Sequence, residues 1–89
     1  MDIYFNADSK RFELEKNGLM AVAEFEMEPG VMVVTHVIVP PSLRGGGVAS
    51  ALSAEVVAHA RREGLKIEPV CSFMQAYLTR HPETHDIVA

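Results

Sequence analysis

The residues best suited to chemistry form one short run, Arg44-Gly45-Gly46-Gly47-Val48-Ala49. It follows a stretch of β-branched residues and opens an amphipathic helical pattern. Glycines let a backbone come close to a ligand. The first N–H groups of a helix have no partner inside it, and the aligned peptide dipoles add about half a positive charge there. Strand, glycine turn and helix start together make a seat for a phosphorylated group. The triphosphate-binding loop is excluded, because no Gly-Lys-Ser/Thr follows the glycines. The dinucleotide fingerprint is nearly matched by Gly45-x-Gly47-x-x-Ser50, with Glu68 about 20 residues on. Its third glycine is Ser50, however, and Pro40–Arg44 separate strand from glycine where a tight turn is wanted. A purely structural loop explains three consecutive glycines poorly, since each costs conformational entropy.

Few other residues invite a chemical role. Cys71 is the single cysteine; a lone thiol is a potential acid or nucleophile, or else a small buried apolar group. Tyr77 could donate a proton or simply pack. His36 interrupts an apolar strand on the face of Met32, Val34 and Ile38, and could act as a neutral base or be a satisfied core residue. His81 and His85, with Glu83 between, have a superficial metal look. Pro82 breaks the helical spacing and Cys71 has no cysteine partner, so no metal site is expected. His59 with Glu55 reads as a helix-surface pair. Glu24, Glu26 and Glu28 read as a solvated sheet face that could also attract a cationic amine.

These residues are set into a simple order of elements. Ile3–Asn6 is a short strand. Arg11–Lys16 alternates, and Asn17-Gly18 marks a two-residue hairpin. Leu19–Glu28 alternates again up to the Pro29-Gly30 turn. Val31–Val39 is apolar on both faces, which predicts a central strand covered on both sides. Gly47 to Glu63 is helical, with Val48, Ala49, Leu52, Val56 and Ala60 in a stripe and Gly64 as its stop. Leu65–Val70 is a strand, Phe73–Arg80 a short helix, and Asp86–Ala89 an extended tail. The order β-β-β-β-α-β-α predicts an α+β fold: a mixed, mostly antiparallel sheet with packed helices. Val39 and Leu65 are joined through a helix, so their strands should run parallel.

The 89 residues make one domain, 1–89. The net charge of −4 and the scattered basic residues exclude a nucleic-acid backbone as partner. No apolar run approaches a membrane span, and no secretory signal is visible. One unpaired cysteine points to a reducing, cytoplasmic setting. A core this small favours tight patterning or a homodimer, and monomer and homodimer both stay open.

The segments Thr35-His36-Val37-Ile38-Val39-Pro40 and Leu43-Arg44-Gly45-Gly46-Gly47-Val48-Ala49-Ser50 resemble the central strand and cofactor loop of the GNAT N-acetyltransferases. The stretch Glu68-Pro69-Val70-Cys71-Ser72-Phe73 and the run Arg80-His81-Pro82-Glu83 resemble the short, YjdJ-type subgroup. Members often carry Thr-Glu where Val37-Ile38 stands, so no glutamate base is expected in this strand. The resemblance implies a minimal acyl-CoA N-acyltransferase fold that moves acetyl from acetyl-CoA to an amine, a protein amine included. It implies that Arg44, Gly45, Gly46, Gly47, Val48 and Ala49 hold the pyrophosphate, and that the main chain of Ile38 and Val39 holds the pantetheine arm. It implies Cys71 or Tyr77 as the acid for the departing thiolate and leaves His36 as a candidate base. The alternative class is a non-catalytic acyl-CoA-binding or protein-interaction module. The resemblance also implies a sheet without the helices that wall the acceptor site in full-length members.

Overall fold

A computed structural model describes residues 2–89. Five strands form one sheet in sequence order: β1 (Tyr4–Asn6), β2 (Arg11–Lys16), β3 (Leu19–Glu28), β4 (Val31–Ile38) and β5 (Lys66–Pro69). The first four pair antiparallel, and β4 pairs parallel with β5. Between those two runs helix α1 (Val48–Glu63), and after β5 comes α2 (Ser72–Arg80). The mixed, mostly antiparallel sheet with packed helices is the α+β arrangement that the patterning predicts.

The alternating residues of β2 and β3 set the core. Phe12 pairs with Ala23 and Leu14 with Ala21, all four 1% exposed or less. Against them α1 lays Val48, Leu52, Val56 and Ala60, and α2 adds Met74 and Leu78. Asn17 sits at φ 55 in the β2–β3 turn, the left-handed conformation that its hairpin signature requires. Gly64 ends α1 at φ 68, its N–H bonding the carbonyls of Ala60 and Arg61.

Three expectations need correction. The helices cover only one face of the apolar run of β4. Both helices pack into a single core, while Ile38 on the other face is 49% exposed. Val33, buried at 8% exposure, is shielded on that face although it lies outside the core cluster. Second, His36 does not share a face with Met32 and Val34. Glu24 pairs with His36 but Phe25 pairs with Val34, so β4 carries one extra residue, Thr35, in a bulge. The side-chain alternation shifts by one there. Beyond it, His36 and Ile38 point away from the helices, and Val37 points towards the core. Third, His59 does not pair with Glu55. Its ring lies tilted against Phe5 at 4.3 Å and meets Phe12 edge-on, while Glu55 pairs with Arg62 at 3.2 Å.

The C-terminal segment is tied down rather than simply extended. A 3-10 turn at Pro82–Ile87 follows α2. Arg61 of α1 grips Asp86 through two bonds, at 2.8 and 2.9 Å, and also donates to the carbonyl of Glu83. Val88 then bridges Ile67 in parallel, and the N–H of Ala89 donates to the Ile67 carbonyl at 2.8 Å. The outer edge of β5 is therefore partly occupied. Among the described residues, no helix is long and apolar enough to cross a membrane.

Candidate active site

The glycine run folds into a turn that hands the chain from β4 to α1. Gly45 lies at φ 84 and Gly47 at φ 81, where a side chain would be strained. A Cβ added to either would meet no atom within 4 Å, so both positions border open space. Gly47 caps α1, and neither a side-chain cap nor an acidic residue occupies the first turn. The first helical bond runs from Ala51 N–H to the Gly47 carbonyl at 2.9 Å. Among the described residues, the amides of Val48, Ala49 and Ser50 meet no backbone acceptor. Such groups at the positive end of a 16-residue helix favour an anion. Arg44 fixes the loop: its Nε donates to the Val39 carbonyl at 3.1 Å.

A cavity of about 530 Å³ opens in front of this helix start. Its walls are the strand end Val37, Ile38 and Val39, the loop residues Leu43, Arg44, Gly45 and Gly47, the helix start Val48–Ser50, and Phe73 of α2. The strands create the opening by parting. Their register ends at Val34 opposite Pro69, and the Val34 carbonyl accepts from both Val70 (3.0 Å) and Cys71 (3.1 Å). The chain then turns away into α2 while β4 continues to Ile38. Backbone groups alternate sides along a strand. Counting from the Val34 carbonyl and across the Thr35 bulge, Val37 and Val39 turn their main chain to the open edge. Ile38, paired with Val22, turns its own towards β3. Ile38 thus contributes its side chain to the cavity, and Val37 supplies free backbone groups.

The expected site residues divide accordingly. Ile38, Val39, Arg44, Gly45, Gly47, Val48 and Ala49 meet at the cavity, and Gly46 lies within the same loop. Cys71 is half-buried at the N-cap of α2, one residue past the parting of the strands, but it does not line the cavity. Neither does Tyr77. Its ring stacks on His81 at 4.0 Å, and burial pushes its phenol above the ordinary value, with Glu83 adding to the rise. His36 stands on the helix-free face, its Nδ1 3.4 Å from Glu24 Oε1. His81 Nδ1 donates to the Tyr77 carbonyl (2.7 Å) and His85 Nε2 to the Leu78 carbonyl (3.2 Å), so both rings brace the C-terminal turn. Val37, Leu43, Ser50 and Phe73 are wall residues that were not among the expected site residues, and Phe73 is the one far from the loop in sequence. A phenylalanine in the first turn of a short helix gives no signal of its own; its place depends on how α2 docks.

Comparison with known proteins adds an independent line. The family model described as GCN5-related N-acetyl-transferase matches residues 11–87. The chain belongs to the GCN5-related N-acetyltransferase family. The solution structure of a GCN5-like protein from Staphylococcus aureus superposes with a TM-score of 0.78 at 26% identity. The match covers 99% of this chain and 87% of that one. The uncapped helix start, the parted strands and the cavity between them all lie within the matched residues. β1 and β2 are joined by the tight turn Ala7–Lys10, with no helix between them.

Proposed function

We propose that this GCN5-related N-acetyltransferase domain binds acetyl-CoA in the cavity and transfers its acetyl group to an amine. One observation carries the reading: the uncapped N-terminus of α1 and the end of β4, unpaired on its β5 side, face the same 530 Å³ space. The pyrophosphate would lie on the amides of Val48, Ala49 and Ser50, reached across Gly45, Gly46 and Gly47, with the Arg44 guanidinium beside it. The pantetheine amides would pair with the main chain of Val37 and with the N–H of Val39, whose carbonyl holds Arg44. A free N–H at that edge would also polarise the thioester carbonyl and hold the oxyanion as it forms. Ile38 and Phe73 would keep water from the thioester.

The chemistry is a simple exchange. An ammonium loses a proton, its nitrogen lone pair attacks the thioester carbon, a C–N bond forms, and the C–S bond breaks. The sum is R–NH3+ plus acetyl-S-CoA giving the acetamide, CoA-SH and H+. Cys71 and Tyr77 are the candidate acids for the departing thiolate. Cys71 is favoured by its place beside the parted strands, and Tyr77 by a phenol held protonated. The Pro69-Val70-Cys71 and Arg80-His81-Pro82-Glu83 motifs support a short, YjdJ-like member, and the free thiol suits the cytoplasm.

Binding and turnover are separate tests. Acetyl-CoA should raise the melting temperature, NAD and ATP should not, and CoA should be released with an amine panel. No shift with acetyl-CoA or CoA would refute the reading. Cys71→Ser or Tyr77→Phe should slow turnover more than it weakens binding.

A further inference from the structure

Resting on the acetyl-transfer reading, we propose that Glu24 and His36 form a base couple on the helix-free face of the sheet, where His36 takes the acceptor's proton and Glu24 holds its ring. Three observations meet there. The Thr35 bulge turns His36 out of the core to face Glu24 across the β3–β4 ladder, with Nδ1 3.4 Å from the carboxylate. A hollow of about 360 Å³ lies beside the ring, bordered by Asp8, Lys10, Glu24, Glu26 and Thr35. Ile38, two residues further along the same face, is also a wall of the donor cavity. Two residues of strand span about 6.8 Å. A proton acceptor at His36 would therefore stand one strand repeat from the cavity that the transfer reading gives to acetyl-CoA, without lining it.

The charges around the hollow suit an ammonium. Asp8, Glu24 and Glu26 border it, against one lysine, Lys10, whose Nζ is engaged by Glu26 at 2.9 Å. Arg11 lies across the ladder from Glu24 but is bonded to Glu13. Glu24 would accept from His36 Nδ1–H, leaving Nε2 with its lone pair towards the hollow. The proton then passes from R–NH3+ to Nε2, the free amine attacks the thioester, and the imidazolium gives its proton to solvent after acylation. Glu24 is a positioning residue in this scheme and His36 the catalytic one.

The test combines NMR with kinetics on the whole chain. Long-range 1H–15N spectra at neutral pH should show His36 protonated on Nδ1 in the wild type. Glu24→Gln should lose that tautomer preference. With acetyl-CoA and either spermidine or a lysine-bearing peptide as acceptor, His36→Gln should lower kcat/KM by about 100-fold. It should leave acetyl-CoA affinity unchanged. Glu24→Gln should lower kcat/KM less. Glu24→Asp should restore part of the loss. His36 protonated on Nε2 in the wild type, or variants with wild-type rates, would overturn the couple alone. A wild type that neither binds acetyl-CoA nor releases CoA would overturn the transfer reading and this inference with it.

Discussion

Gly47→Asp is the sharpest test of the donor site, because stability and binding respond in separable ways. Gly47 holds φ 81 at the head of α1, and an added Cβ meets nothing within 4 Å. The fold is therefore charged only for the left-handed backbone, about 1–2 kcal/mol. A domain of this size loses about 4–8 °C of Tm per kcal/mol. Gly47→Ala should show that loss in full and keep most of its affinity, since the helix amides are untouched. Gly47→Asp adds a carboxylate at the same place. It suffers the same strain, partly offset by favourable charge at a helix start. Against a bound pyrophosphate it is repulsive. A unit charge 4 Å away at an effective dielectric of 20 is worth about 4 kcal/mol, or about 10³ in Kd. At 100 times the wild-type Kd, acetyl-CoA should stabilise the wild type by about 2.7 kcal/mol. The same concentration is only about a tenth of the variant's Kd and yields under about 0.1 kcal/mol. Thermal shift with and without acetyl-CoA reads both effects. A Gly47→Asp protein that is stabilised as strongly as the wild type would show that the phosphates lie elsewhere.

Leu52→Ala removes a fully buried side chain from the α1–sheet contact and should cost about 2–5 kcal/mol in urea unfolding. Phe73→Ala opens one wall of the cavity; acetyl-CoA should bind more weakly while longer acyl-CoA esters gain relative to it, as titration calorimetry would show. The bond from Arg61 holds the Asp86 carboxyl below its ordinary value. A depressed carboxyl pKa adds stability above the unfolded-state value and loses it as pH falls through the folded one. Asp86→Asn should therefore lower Tm at neutral pH, and the gap from the wild type should close in acid.

Local signals carried most of the fold. Asn17-Gly18 set the hairpin register, Gly64 set the end of α1, and the glycine run marked the helix start that faces the cavity. What stayed hidden depends on partners distant in sequence. The apolar run of β4 reads the same whether one face or two is covered, because a strand does not encode the number of layers above it. The Thr35 bulge exists only in the pairing with β3, so His36 seemed to point inward. His59 seemed to belong with Glu55, but its ring packs tilted against Phe5 of β1. Phe73 and the free main chain of Val37 follow from the docking of α2 and from the bulge, and neither leaves a pattern in its own segment.

The strand order bears on how the molecule folds. The meander β1–β4 closes through short turns, so its contacts are local and form early. The one parallel pairing, β4 with β5, must wait for α1 to form and swing across. The cavity proposed for acetyl-CoA lies on that seam, with β4 on one side and α1 and α2 on the other. A ligand held across a seam that closes last touches little of the folding transition state. It would act as a clasp, slowing unfolding while leaving the rate of folding nearly unchanged.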